Sequence, residues 1–209
     1  MIPWTEILTA WAVFAANVLS PGPNVFNTIA IALGSGRSVA LAVVPAVALG
    51  VTGWALALIL GAAFLFARLP WLEPALTATG GCLLVWFGTR YLHRAWHWSA
   101  GIGRARMLSA RQAFAITLGI LATNPKALTT WIVLVSIFPA GQATPAAVAV
   151  MVAGSACVAA LGHLGYALAF STRRAAEAYA RAGRWINAGV GIFFAALGLR
   201  LLAGVAGLA

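Results

Sequence analysis

Long stretches without charge divide the chain into six segments that are each long enough to cross a membrane. A transmembrane helix needs about 20 mostly apolar residues. Segments of that kind cover 7–36, 38–67, 74–92, 112–139, about 145–172 and 185 to about 205. The connections between them are short and leave no room for a soluble domain. The pattern predicts an all-α integral membrane protein with six transmembrane helices in a single domain over 1–209.

Composition and charge narrow the class further. Of 209 residues, 63% are apolar and 8% are charged, against about 25% charged residues in soluble domains. The acids are Glu6, Glu73 and Glu177, and there is no aspartate. This set excludes paired-carboxylate catalysis, Ser-His-Asp triads and calcium or magnesium sites, so we expect no enzyme, no metal and no cofactor. The net charge of +10 does not indicate nucleic-acid binding, because the basic residues border apolar segments instead of forming a soluble face.

The basic residues also predict the orientation of the chain in the membrane, because Lys and Arg concentrate in short cytoplasmic connections. Most of the 13 basic residues lie in or beside the first, third and fifth connections. These are Arg37, Arg90, Arg94, Arg104, Arg106, Arg111, Arg173, Arg174, Arg181 and Arg184. The opposite side has only Arg68 and Arg200. We therefore expect both termini outside the cell.

An internal repeat relates the two halves of the chain. Residues 48–57 align with 160–169 at an offset of 112, with seven identities in ten positions. The third and sixth segments align at an offset of 110, which pairs Gly81 with Gly191 and Gly88 with Gly198. Each half has three segments, an odd number, so the halves have opposite orientations. We expect one repeat over about 1–95, a second over about 112–209, and a basic cytoplasmic connection over 94–111.

Two segments at equivalent places in the halves contain helix-breaking motifs. Proline costs a helix interior about 3 kcal/mol, and unwound backbone survives at membrane depth only beside protein or a wet cavity. A proline kink of purely structural purpose is the simpler explanation of one such motif. Two equivalent breaks, each with asparagine beside it, favour a substrate site. The candidate site residues are Asn17, Pro21, Gly22, Pro23, Asn24, Asn124, Pro125 and Lys126.

In these motifs the chain resembles the LysE/RhtB family of bacterial amino-acid exporters along its whole length. The resemblance rests on Pro21-Gly22-Pro23-Asn24, Gly88-x-Arg90-Tyr91-Leu92, Asn124-Pro125-Lys126 and Arg184-Trp185-Ile186-Asn187, in the order of that family. It implies a multi-pass exporter in the bacterial inner membrane, driven by the proton gradient and acting on amino acids or close derivatives. Some relatives have an acidic residue just after the glycine of the second segment, where this chain has Val51.

Lys126 is the one charge deep inside a predicted segment. It lies about 13 residues from either end of 112–139, which is roughly 20 Å along a helix and too far for its side chain to reach the surface. It could bind the carbonyls freed in the first segment and hold the two breaks together. It could also bind a substrate carboxylate, or carry a proton in each transport cycle. These roles do not exclude one another.

The two breaks suggest how a zwitterionic amino acid would bind. Pro23 and Pro125 each suit the first turn of a half-helix, whose free N–H groups favour an anion. The substrate carboxylate would lie near Gly22, Asn24 and Lys126. Its ammonium group would face Asn17, Asn124 and unwound carbonyls. No carboxylate lies in a predicted membrane core, so we expect neutral amino acids to be preferred over lysine or arginine.

His163 is the second candidate for proton coupling, since it is the repeat partner of Val51 and histidine titrates near neutral pH. A neutral histidine that hydrogen-bonds a neighbouring helix is the alternative.

Three other functions compete with export. A passive channel would need no proton gradient, and a membrane scaffold would have no use for Lys126. A thiol-disulfide electron carrier needs paired cysteines in facing helices, whereas Cys82 and Cys157 are not at equivalent positions of the repeat and predict no disulfide. The expected partners are an amino acid, protons and the lipid bilayer. Whether the protein forms a homo-oligomer is left open.

Overall fold

The computed structural model describes residues 2–20, 22–69, 71–98 and 107–207. Within these ranges the chain forms eight α-helices, one short 3-10 helix at Ala140–Gln142 and no strand. The helices are α1 (Trp4–Leu19), α2 (Pro23–Ala40), α3 (Val43–Arg68), α4 (Leu72–Trp96), α5 (Ala110–Thr123), α6 (Pro125–Ile137), α7 (Pro145–Ala169) and α8 (Arg173–Val205). The predicted all-α class is confirmed.

Several helices have the length and hydropathy of membrane spans. In the described part of the chain, α3, α7 and α8 each qualify alone, and α5 and α6 qualify only together, as a pair bent by 61°. Large apolar side chains on the outside of α3, such as Leu49, Leu60 and Phe64, are more than half exposed. An apolar exterior of this kind is typical of a protein surrounded by lipid. The six-span arrangement also requires α4 to span the membrane and α1 to combine with α2, and it stays a prediction.

Both helix interruptions fall where the proline motifs predict them. Helix α1 ends at Leu19 and α2 begins at Pro23, with Ser20 and Gly22 in extended conformation. Helix α5 ends at Thr123 and α6 begins at Pro125, with extended Asn124 between them. Proline has no N–H to donate and a φ suited to a first helical turn, so it starts the second half of each pair.

A further kink lies in α2. It falls within residues 34–37, where the sequence predicts the first connection between membrane segments. Gly36 has a φ of 81° and a ψ of 174°, which a residue with a side chain rarely adopts. The chain therefore changes direction just before Arg37, the first of the basic residues expected in the cytoplasm.

Helices that the predicted repeat makes equivalent pack against each other. The most extensive helix contacts join α4 to α8, and α3 to α7. At the α4–α8 contact, a Cβ added to Gly198 would lie 2.7 Å from the Gly81 carbonyl oxygen, and one added to Gly88 would lie 2.9 Å from the Gly191 oxygen. The same four glycines that the alignment singles out thus meet in crossed pairs, because only glycine lets the two backbones approach so closely.

Candidate functional site

A cavity lies where the two interrupted helix pairs meet. It holds about 550 Å³ of empty space, part of it open to the outside. Its polar lining is Asn17, Gly22, Asn24, Asn124, Lys126, Thr130 and His163, and its apolar lining is Phe14, Val18, Pro23, Val25, Val47, Val51, Leu121, Ala127, Trp131 and Ala159. We call it the central cavity.

The end of α1 has free carbonyl groups that distant side chains satisfy. The Tyr166 hydroxyl lies 3.1 Å from the carbonyl oxygens of both Val18 and Leu19 and donates to them. The Tyr179 hydroxyl donates to the Leu19 oxygen at 3.2 Å. Helix ends leave their last carbonyls without partners in the helix, so α7 and α8 supply the donors that the α1 end lacks.

Ser20 connects this break to Lys126. The Ser20 hydroxyl donates to the Asn17 carbonyl oxygen at 2.7 Å. Because its one hydrogen is used there, Ser20 Oγ accepts from the Tyr91 hydroxyl at 2.8 Å and from Lys126 Nζ at 3.1 Å. Ser20 is fully buried, whereas Asn17 and Lys126 are partly exposed.

Lys126 therefore holds the two breaks together. It lies in the first turn of α6, and its Nζ also donates to the Asn17 carbonyl oxygen at 3.4 Å and lies 5.5 Å from the centre of the Tyr91 ring. A Cβ at Gly22 would come within 3.1 Å of Nζ, so glycine leaves room for the ammonium group. Among the described residues, no carboxylate pairs with Lys126.

At the α5–α6 break, a local residue caps α6 and a distant one donates to the end of α5. Trp54 Nε1 of α3 donates to the Leu121 carbonyl oxygen at 3.1 Å. Asn124 Oδ1 accepts from the Lys126 backbone N–H at 3.0 Å and caps α6. The Thr130 hydroxyl donates to the Lys126 carbonyl oxygen and, in turn, accepts from Asn17 Nδ2, each at 2.6 Å. A bond between side chains thus ties α1 to α6 beside the cavity.

Asn24 has a polar atom without a partner at the cavity wall. Its Oδ1 is buried and has no hydrogen-bond partner among the described residues. Its backbone oxygen accepts from the Thr28 hydroxyl at 2.9 Å. An unpaired buried carbonyl oxygen costs about 1–3 kcal/mol, so a ligand that donates to Oδ1 would gain this energy.

His163 lines the same cavity, on α7. It is 3% exposed, and its Nδ1 lies 2.8 Å from the Thr28 hydroxyl oxygen. Because the Thr28 hydrogen points to the Asn24 oxygen, the arrangement favours the tautomer in which Nδ1–H donates to Thr28. Nε2 is then the basic nitrogen. Val51, its repeat partner, lines the cavity as well.

Most predicted site residues converge on this cavity. Asn17, Gly22, Pro23, Asn24, Asn124, Lys126 and His163 all line it. Pro125 starts α6, but its side chain lies outside what the structure describes, and Pro21 lies outside the described residues altogether.

Sequence reasoning did not assign a role to several residues that shape the site. They are Ser20, Thr28, Tyr91, Thr130, Tyr166 and Tyr179. Two of them carried a signal: Tyr91 belongs to the motif at the end of the third segment, and Tyr166 is the repeat partner of Trp54. Neither signal points to the α1 carbonyls, because the bonds cross more than 70 residues of chain.

Comparison with known proteins agrees with the motifs. The sequence profile of the family described as LysE type translocator matches residues 15–204. A threonine efflux protein of Escherichia coli (strain K12) is 26% identical over 203 residues, which cover 93% of this chain and 96% of the relative. A threonine efflux protein of Salmonella typhi is 26% identical over 188 residues, or 88% of this chain and 91% of the relative. No solved structure matches the chain significantly.

Proposed function

Because the chain belongs to the family of LysE type translocators, we propose that it exports neutral amino acids from the bacterial cytoplasm by proton antiport with alternating access. Family membership makes it a membrane transporter and not an enzyme, and it confirms the resemblance seen in the sequence. The direction, the substrate class and the coupling to protons are the proposed part.

One observation carries the proposal: Lys126 lies at the meeting point of two broken helices, beside a cavity, without a carboxylate partner among the described residues. A cation at membrane depth is costly and is kept where it has a function. The bonds from Nζ to Ser20 and to the Asn17 oxygen orient the ammonium group. An anionic group in the cavity would supply the missing counter-charge.

The cavity offers complementary groups for both ends of a zwitterion. The substrate carboxylate would bind Lys126 and the extended backbone at Gly22. The ammonium group would donate to Asn24 Oδ1, the buried acceptor without a partner. Asn124 is less available than the sequence suggests, since its Oδ1 caps α6. With no acidic residue in the cavity lining, a cationic side chain on the substrate would have no counter-ion.

The repeat provides a route for alternating access. We place six spans in the inner membrane, with both termini outside, one repeat over about 1–95 and the other over about 112–209. The packing of α4 on α8 and of α3 on α7 supports this arrangement, because pairs of equivalent helices are related by the pseudo-two-fold axis of an inverted repeat. The central cavity would then open alternately to the two sides.

The coupling proton would be carried by Lys126 or His163. Both line the central cavity, and Thr28 lies between His163 and the Asn24 carbonyl oxygen. A proton on His163 Nε2 would add a positive charge near Lys126 and weaken binding of the ammonium group. Loading of a proton would thus oppose loading of the substrate, as antiport requires.

The test is export of amino acids from proteoliposomes containing the purified protein, beginning with L-threonine, the substrate in the names of the relatives. We expect threonine efflux that an opposing proton gradient accelerates, and little efflux of arginine. Lys126→Met should reduce efflux about 100-fold, the loss of a charge-assisted bond of about 3 kcal/mol. Leu128→Met, on an exposed face of the same helix, is the matched control.

The same assay separates the alternatives. Flux that ignores the proton gradient would indicate a passive channel. Preferred efflux of arginine would overturn the neutral substrate class, and full activity of Lys126→Met would overturn the role of the lysine.

A further inference from the structure

A second cavity lies away from Lys126, between the ends of four helices. It holds about 1210 Å³ of empty space, part of it open to the outside. Residues Thr5, Glu6 and Thr9 of α1, Glu73 and Thr77 of α4, Ser136 of α6 and Arg200 of α8 form its polar lining. We call it the outer cleft, because the distribution of basic residues predicts these helix ends on the outer side.

The charges of the outer cleft are unusual in this protein. Glu6 and Glu73 are two of the three acidic residues in the whole chain, and both line the cleft together with Arg200. Within the described ranges, no ion pair within 4.0 Å joins Arg200 to either carboxylate. Opposite charges that line one cavity without contacting each other leave space for a molecule that carries both charges.

Three of the four hydroxyl groups in the cleft lining donate within the protein. The Thr9 hydroxyl donates to the Thr5 carbonyl oxygen at 2.7 Å, and the Ser136 hydroxyl to the Val133 oxygen at 2.7 Å. The Thr77 hydroxyl lies 3.0 Å from the Glu73 backbone oxygen and 3.5 Å from that of Ser136. These three oxygens keep lone pairs as acceptors, the carboxylates of Glu6 and Glu73 also accept, and Arg200 on α8 donates.

The outer cleft and the central cavity share two helices. Helix α1 lines the cleft at Thr9 and the central cavity at Asn17, about 12 Å apart along the helix. Helix α6 lines the central cavity at Lys126 and the cleft at Ser136, about 15 Å apart. Phe14 and Trp131 lie between these positions along α1 and α6, line the central cavity, and have ring centres 5.8 Å apart.

We infer that the outer cleft is a second binding site for α-amino acids, which holds the substrate after it has passed Phe14 and Trp131. The ligand class is a zwitterion: its carboxylate pairs with Arg200, and its ammonium group pairs with Glu6 or Glu73. This inference rests on the proposed export of amino acids, and it adds a site on the outer side.

Protection of a cysteine in the cleft tests the inference without measuring transport. Cys82 and Cys157 are replaced by alanine, and Val205→Cys or Thr5→Cys introduces one thiol in the cleft lining. A membrane-impermeant thiol reagent is then applied to right-side-out vesicles containing the full chain. L-Threonine should slow the labelling. N-acetylthreonine and threoninamide, which lack the ammonium charge and the carboxylate respectively, should not.

Substitution of the charged groups should weaken this protection. Arg200→Gln, and Glu6→Gln combined with Glu73→Gln, should each raise the threonine concentration needed for half-protection about tenfold, as expected for one charge-assisted bond. Arg68→Gln is the matched control, because Arg68 lies over the Phe64 ring and does not line the cleft. Unchanged protection in the Arg200 variant, or no labelling of either cysteine from outside, would overturn the inference.

Lys126→Met separates the two sites. Protection should persist in this variant, because the central lysine does not line the outer cleft. Loss of protection there would assign the effect to the central cavity and overturn the inference. Threonine efflux without protection would overturn the outer site alone, whereas protection without efflux of any neutral amino acid would overturn the proposed function.

Discussion

The two interrupted helix pairs have similar motifs but solve the same problem in different ways. At the α5–α6 break, Asn124 caps the following helix two residues away. At the α1–α2 break, the last carbonyls of α1 depend on Tyr166 and Tyr179, which are about 150 residues away in the sequence. The end of α5 also has a distant donor, because Trp54 Nε1 of α3 donates to the Leu121 carbonyl oxygen at 3.1 Å. The breaks differ at their second helix: α6 has a side-chain cap from the break itself, and α2 has none. The α1–α2 break therefore depends more on packing against α7 and α8.

Lys126 contacts both breaks, through different parts of the residue. Its backbone belongs to the locally capped break, and its ammonium group binds Ser20 and the Asn17 oxygen at the other break. A substrate carboxylate that competes for the ammonium group would weaken the connection between the breaks. Binding and conformational change would in this way be coupled through one side chain.

The largest effect is expected where the distant donors are removed together. Replacing both tyrosines, Tyr166→Phe with Tyr179→Phe, leaves the Val18 and Leu19 carbonyls without these donors. These two carbonyls lie at a partly buried helix end, so the loss of their donors should cost about 2 kcal/mol. The measurement is the free energy of unfolding in a detergent titration. The single variant Tyr179→Phe should lose much less, because Tyr166 still donates to Leu19. A double variant as stable as that single variant would contradict the proposed difference between the breaks.

An intermediate effect is expected where the first break approaches Lys126. In Gly22→Ala, the new Cβ would lie 3.1 Å from Nζ and displace the ammonium group by a few tenths of an ångström. Export should fall about tenfold, because a charged binding group is moved out of position while the fold stays intact. Threonine efflux and thermal unfolding are measured on the same preparation. Gly53→Ala is the control, since a Cβ there meets nothing within 4 Å. Equal efflux from both variants would contradict the role of Gly22.

The smallest effect is expected at the locally capped break. Asn124→Ala removes the side chain that accepts from the Lys126 backbone N–H, and loss of such a cap costs about 1 kcal/mol. Asn124→Ser should recover most of the stability, because serine also caps a helix. Detergent unfolding of the two variants compares them directly. If Asn124→Ala lost more stability than the double tyrosine variant, the order of the two breaks would be reversed.

Much of the fold followed from local properties of the chain. The helical membrane class follows from long uncharged segments, and the interruptions follow from Pro23 and Pro125, each of which lacks a backbone donor. The glycines that align between the third and sixth segments lie where α4 and α8 approach closely, with Gly81 against Gly198 and Gly88 against Gly191. Span number is harder to predict, since α4 and the α1–α2 pair do not by themselves qualify as spans among the described helices.

For the site, the sequence by itself determined the residues that break the helices and the single deep charge, because both depend on covalent structure and on distance along the chain. Lys126 is too far from either end of its segment to reach the surface, whatever the packing. Only the tertiary structure decided which groups surround its ammonium group. Ser20 lies in the α1–α2 break itself, and Tyr91 of α4 and Tyr166 of α7 reach that break across 71 and 148 residues of chain. A hydrogen bond requires its atoms to be about 3 Å apart, and such a distance is set by the packing of helices.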